Sequence, residues 1–221
     1  MTIANNLRKI RAALPVNVRL AAVSKFHSED EIMEAYNAGH RLFAENRVQE
    51  LVTKYEHLPK DIEWHLTGHL QTNKVRYIAP FVSVIQSVDS VRLLQEIDCE
   101  GMKAGRQIGV LLQIHIAMEE NKFGFSYDEA EEFFADGVFE AFRHVQVKGL
   151  MGMASFTHDC ERIRTEFASL GTFFRGIRTK YFAGSEVFCE LSMGMSDDYM
   201  IAVEEGSTTV RIGRAIFGER H

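Results

Sequence analysis

Short apolar or β-branched runs alternate along the chain with longer stretches whose apolar residues recur every three or four positions. The first run, 18–23, reads as a buried strand. Ser28 follows, with Glu31 three residues on, the spacing of a capping box. The helix it starts carries Ile32, Ala35 and Tyr36 on one face and stops near Gly39. Strands are then expected at 41–44, 62–66 and 82–85, with helices over 47–56, 72–78 and 90–102 between and after them. The run 108–116 is long and almost wholly apolar, as a strand covered on both faces must be. A helix over 127–135 and a strand over 145–150 come next. The clearest helix spans 159–181, where Ile163, Phe167, Leu170, Phe174, Ile177 and Tyr181 recur at steps of three or four. A strand at 187–191, a helix over 197–204 and a strand at 208–212 complete the pattern. Eight strand–helix units predict a parallel α/β fold, most economically a single (β/α)8 TIM-type barrel over residues 1–221. An open doubly wound sheet and a barrel with one irregular unit are the alternatives.

Composition narrows the function classes. Hydrophobic residues make up 46% and charged residues 25%, so the chain has the apolar content a core needs. Only Pro15, Pro59 and Pro80 interrupt it and no Ser/Gly/Pro-rich linker divides it, which favours one domain. With 25 basic and 31 acidic residues the formal charge is −6, against the basic footprint of a nucleic-acid binder. Cys99, Cys160 and Cys189 are scattered, odd in number and form no Cys-x-x-Cys pair, which fits a reducing cytoplasm. No apolar h-region follows Arg8, Lys9 and Arg11, and no run approaches the ~20 residues that span a bilayer. Neither a signal peptide nor a membrane partner is expected.

Barrels of this kind carry their chemistry at the C-terminal ends of the strands, with phosphate groups often held after strands seven and eight. The loop after strand seven reads Ser192-Met193-Gly194-Met195-Ser196-Asp197-Asp198, and Ser196 is the expected N-cap of a helix offering N–H groups to an anion. After strand eight, Gly213 permits close backbone approach, and Arg211 two residues earlier points to the same side. Lys25 closes strand one at the predicted mouth, where partial desolvation frees an amine for imine formation. Each feature has a plainer reading, a helix cap or a solvated lysine. An imine-forming lysine and a phosphate cup on one rim are together what pyridoxal 5'-phosphate requires.

These residues sit in a set of ordered motifs. They are Ala22-Val23-Ser24-Lys25; Phe43-Ala44-Glu45-Asn46-Arg47-Val48-Gln49-Glu50; Trp64-His65-Leu66-Thr67-Gly68-His69-Leu70-Gln71-Thr72-Asn73-Lys74; Ser87-Val88-Asp89-Ser90; Lys122-Phe123-Gly124; Gly149-Leu150-Met151; Leu191 to Asp197; and Gly206 to Gly213, followed by Ile216-Phe217-Gly218. Through them the chain resembles, over essentially its whole length, the pyridoxal phosphate homeostasis proteins of the YggS/PROSC family, themselves similar to the N-terminal barrel of alanine racemase. The resemblance implies a fold-type III barrel for pyridoxal phosphate. Lys25 would carry the cofactor as a Schiff base. Ser196 and the backbone around Gly213 and Arg214 would hold the phosphate, Met195 would pack against the cofactor, Arg211 would face the pyridine nitrogen, and Asn46 would lie beside the ring. It implies vitamin B6 homeostasis without an established reaction, with apo-enzymes that use pyridoxal phosphate as recipients. Ala44, His69, Arg214 and Ala154-Ser155-Phe156-Thr157 depart from the family pattern; Lys25, Ser196 and Arg211 do not.

A permanently charged arginine at the ring nitrogen disfavours its protonation and weakens carbanion chemistry. The chain ends at His221, soon after strand eight, which leads us to expect no second domain to supply a further acid or base, an open site and a monomer. A carrier is therefore preferred to a weak racemase or a cofactor-free lysine aldolase. Among the other groups, His65 and His69 are expected as polar rim residues rather than a metal pair. Asp197 and Asp198 are read as complements to a helix dipole, Met193 and Met195 as packing, and Phe173-Phe174 as core. Lys74 and Lys122 fit either surface lysines or anion contacts.

Overall fold

Backbone hydrogen bonds join eight of the apolar runs into a closed parallel barrel. The computed structural model describes residues 2–117 and 123–218; Lys122 lies outside the described residues. The strands are β1 (Arg19–Val23), β2 (Leu42–Glu45), β3 (Glu63–Leu66), β4 (Val84–Val88), β5 (Ile108–Ile114), β6 (Val145–Gly152), β7 (Glu190–Ser192) and β8 (Thr209–Ile212). Each bonds to the next, and β8 returns to β1 through the pairs Arg19–Thr209 to Ala22–Ile212. The expected (β/α)8 barrel is thus the observed one, and the open sheet is excluded. Helices α1 (Ile3–Ala13), α2 (Glu29–Asn37), α3 (Val48–His57), α4 (Val75–Ile78), α5 (Val91–Ala104), α6 (Tyr127–Ala135), α7 (Cys160–Tyr181), α8 (Tyr199–Glu204) and α9 (Arg214–Phe217) surround or close it.

Strand alternation divides the interior in two. One set of side chains packs outward against the helices in the main core, including Phe43, Trp64, Phe134, Phe167 and Phe188. The other set points into the lumen, where Ala21, Val23, Leu42 and Ala44 form one small cluster and Val84, Leu111, Met151 and Met153 another. The lumen is otherwise filled by polar side chains described below.

The differences from the sequence pattern have local causes. Helix α1 was not expected, although Ile3, Leu7 and Ile10 are its buried stripe and Thr2 caps it. Strand β7 has three residues, not five. Phe188 is apolar because it packs among Phe134, Phe174 and Phe182, not because it pairs with a neighbouring strand. The expected helix over 72–78 is a 3-10 turn, Thr72–Lys74, running into α4. The capping box at Ser28 and Glu31 is present.

Near the N-terminal end of the barrel, His40 is buried between two fixed partners. Arg11 can only donate, so His40 Nδ1 accepts from it at 2.7 Å, and Nε2–H donates to the Leu42 carbonyl at 2.7 Å. Burial, aided by the Arg11 charge, pulls this histidine down to about 4. The unfolded chain therefore takes up a proton that the folded one refuses between about pH 6.5 and 4. His40 contributes stability above that window and loses it as pH falls, up to about 3 kcal/mol in total. Denaturant titrations at pH 7 and pH 5 should show the loss, and His40→Gln should reduce it. An identical pH dependence in the two proteins would contradict this role.

Candidate functional site

The C-terminal mouth of the barrel begins with a strained turn. β1 ends at Val23, and His27 N–H closes back on the Ser24 carbonyl at 3.1 Å, with Lys25 and Phe26 between. Phe26 has a φ of +68°, uncommon for a residue with a bulky side chain. Two contacts hold it there: its N–H donates to Glu50 on α3 at 2.9 Å, and its ring lies under the Arg47 guanidinium. Lys25 continues the parity of Ala21 and Val23, whose side chains enter the lumen, and is half-buried.

Beneath this turn lies a buried charge cluster. Glu45, fully buried at the end of β2, accepts the Ser24 hydroxyl at 2.6 Å and Lys54 Nζ at 2.7 Å. Lys54 also donates to the Ser24 carbonyl at 2.8 Å. Burial pushes the Glu45 carboxyl above the ordinary carboxylate range, and the Lys54 charge works against that rise. Asn46, next along, is half-buried and receives the Thr67 hydroxyl on its side-chain oxygen at 3.0 Å.

The opposite side of the same rim is built from two glycine-bearing loops. After β7, Gly194 has a φ of +90°, and a Cβ on it would lie 2.6 Å from the Ala202 side chain. Its carbonyl accepts Arg211 N–H at 2.9 Å. After β8, a Cβ on Gly213 would lie 3.0 Å from the Val23 carbonyl of β1. The loops are tied by an ion pair from Arg214, the first residue of α9, to Asp197. Ser196 is not the expected N-cap. Asp198 folds back so that its carboxylate accepts Met195 N–H at 2.5 Å, and the resulting turn delays α8 to Tyr199. Ser196 is half-buried within that turn, Met195 stands at the rim and Met193 is buried below it.

Arg211 lies deepest. It is 4% exposed, and donates to Ser192 Oγ at 2.7 Å and to the Gly152 carbonyl at 2.9 Å. Burial pulls its guanidinium down to about 10, opposed by the nearby Asp198, so it remains charged at neutral pH. Burial raises Asp198, while Met195 N–H and the Arg211 charge oppose the rise. Lys25, Asn46, Met195, Ser196, Arg211, Gly213 and Arg214 therefore all come from the ends of β7, β8, β1 and β2, four laterally adjacent strands.

Two expectations fail here. His65 is not at the rim: it is fully buried in the lumen, between Gln86 and Glu63. His69 alone stays at the mouth, bonded to Asp89 at 3.0 Å and stacked on Phe123. Asp197 and Asp198 serve Arg214 and Met195 N–H rather than a helix dipole. No group of three His, Cys, Asp or Glu side chains could hold a metal among the described residues. The Ser24–Glu45–Lys54 cluster and the lumen chain through Ser192 and Gln86 went unread. Polar residues inside otherwise apolar strands were the available signal.

The donor set fits pyridoxal phosphate. An amine lies on one side, a buried arginine below, and two glycine-bearing loops lie on the other.

Comparisons with known proteins identify the family. The model of the alanine racemase N-terminal domain matches residues 1–221. The pyridoxal phosphate homeostasis protein of Aquifex aeolicus is 37% identical over 203 residues, covering 91% of this chain and 87% of its own. The human protein of that name is 36% identical, covering 96% and 80%. PipY of Synechococcus elongatus, solved with pyridoxal phosphate bound, is 36% identical, with a TM-score of 0.88 and coverage of 98% and 100%. Alanine racemase of Clostridium difficile, at 15% identity and a TM-score of 0.79, shares the fold. The chain belongs to the alanine racemase N-terminal domain family and, within it, to the pyridoxal phosphate homeostasis proteins.

Proposed function

We propose that this protein binds pyridoxal phosphate at the C-terminal mouth of the barrel and serves vitamin B6 homeostasis by holding and releasing it. The observation that carries the reading is the match to PipY, a full-length relative solved with that cofactor, over a chain whose amine, arginine and glycine loops share one rim. When bound, the cofactor supplies an aldehyde that condenses with a lysine amine and loses water. Lys25 is the residue we assign to that bond. It is half-buried, in the turn that Glu50 braces at the Phe26 amide. Ser196 and the backbone at Gly213 and Arg214 hold the phosphate, with Met195 lining the rim. Arg211 faces the ring nitrogen and opposes its protonation, because a second positive charge beside a buried guanidinium is costly. Asn46 flanks the ring. No helix among the described residues is long and apolar enough to cross a membrane.

We further propose that the protein acts as a monomer and gives the cofactor to apo-enzymes that need it. The test is a transfer assay. Loaded protein is mixed with an apo-enzyme in excess of free cofactor traps, and recovered activity is followed. Faster activation than by free pyridoxal phosphate at the same free concentration is expected. Equal rates, or amino-acid turnover by the protein itself at ~1 s⁻¹ or more, would overturn the carrier reading.

A further inference from the structure

A chain of buried polar side chains crosses the lumen from Arg211 to the far end of the barrel. Arg211 Nη1 donates to Ser192 Oγ at 2.7 Å. Ser192 Oγ lies 2.7 Å from Gln86 Oε1, a bond between β7 and β4, which are not sheet neighbours. Gln86 Nε2 lies 2.8 Å from His65 Nδ1, and His65 Nε2 lies 3.0 Å from Glu63, which pairs with Arg19 at 2.6 Å. Arg211, Ser192, Gln86 and His65 are all buried.

The direction of every proton in this chain follows from its two ends. An arginine only donates, so Ser192 accepts and directs its own proton to Gln86 Oε1. That orients the amide with its NH2 toward His65. Nδ1 must then accept, and Nε2 carries the hydrogen that Glu63 receives. Every one of these bonds is satisfied in one arrangement, and it requires an uncharged imidazole. Burial lowers this histidine, in keeping with that form, while Glu63 and Glu190 oppose the shift and Arg19 adds to it. Such networks hold their members rigidly when fully satisfied.

We infer that His65, acting through Gln86 and Ser192, is the positioning residue for Arg211. It sets the angle at which the guanidinium meets the ring nitrogen of the bound cofactor. Among the described residues, two of the five N–H groups of Arg211 are engaged below it, by Ser192 and Gly152, which leaves the others for the mouth. This rests on the assignment of Arg211 under the proposed function.

The experiment titrates wild type, His65→Leu, His65→Asn, Arg211→Leu and the His65→Leu/Arg211→Leu double variant with pyridoxal phosphate. Affinity is read by absorbance and the ring by the nitrogen-15 resonance of ring-labelled cofactor. His65→Leu leaves the amide without its acceptor and should weaken binding about tenfold and shift the resonance. His65→Asn, whose side-chain oxygen can replace Nδ1, should stay within about twofold of wild type and restore the resonance. The double variant should bind no worse than Arg211→Leu alone, because coupled residues are not additive. Should His65→Leu fail to fold, Gln86→Leu makes the same cut and is held to the same outcomes. An unchanged affinity and resonance in the cut variant, or full additivity with Arg211→Leu, overturns the inference. Wild type that takes up no cofactor overturns the proposed function instead, and is seen before any variant is compared.

Discussion

Lys25→Ala is expected to abolish the adduct that borohydride traps on this protein. In wild type, reduction in the presence of pyridoxal phosphate should add one pyridoxyl group, and digestion should place it on the peptide containing Lys25. The expectation follows from position as much as residue type. Lys25 occupies a turn closed by His27 N–H and braced by Glu50 on the Phe26 amide, so its amine is delivered to the mouth by a fixed backbone. Lys54 is the buried lysine beneath the same turn, but its Nζ is spent on Ser24 and Glu45. Lys25→Arg is the informative companion, because it keeps the charge and the length but has no amine able to condense. Both variants should lose the adduct, and both should melt within about 1 kcal/mol of wild type, as surface-side substitutions usually do. Residual reversible binding through the phosphate loops should remain. A trapped adduct of undiminished yield in Lys25→Ala would remove the lysine from the site.

The barrel was legible because its period is simple. Each strand is an apolar run, each helix an apolar stripe, and eight repeats leave few topologies. The site was legible at its rim, where Lys25 and Gly213 stand just past strand ends and Arg211 lies near the end of β8, and the motifs of the resemblance reinforced them. What failed was read one level too locally. Ser196 looked like an N-cap because serine favours that position ahead of a helix, yet Asp198 accepts Met195 N–H and the turn it closes starts α8 only at Tyr199. His65 is expected at the rim with His69, since it stands near the end of its strand. Parity along β3 instead sends it into the lumen, where the partner is Gln86, 21 residues away in the chain. Lys54 falls on the buried stripe of α3 with Val48 and Leu51, an unusual place for a lysine. Nothing in the sequence says which carboxylate meets it, since Glu45 lies on a different element. Long-range polar partners are fixed by the packing of whole elements, which a period-based reading does not reach.

That buried lysine gives the largest expected effect on stability. Lys54→Met keeps the aliphatic length, so little packing volume is lost. It leaves Glu45 fully buried with the Ser24 hydroxyl as its remaining partner, and its second carboxylate oxygen already has none among the described residues. Breaking a buried pair in this way should cost about 3–5 kcal/mol. The pH dependence identifies the cause. Burial already raises Glu45 while Lys54 is present, and removing that charge raises it further. A carboxyl raised above its unfolded value binds its proton more tightly when folded. Its protonation therefore restores stability as pH falls through the raised value and withdraws it as pH climbs. The gap between Lys54→Met and wild type should narrow from pH 8 to pH 5. Adding Glu45→Gln to Lys54→Met should recover much of the loss at neutral pH, because no uncompensated charge remains. Cofactor binding should recover less, since the Ser24 carbonyl has still lost the ammonium that anchors the turn carrying Lys25. Equal melting of Lys54→Met and wild type at pH 8, or a gap independent of pH, would show that this cluster neither stabilises the barrel nor braces its mouth.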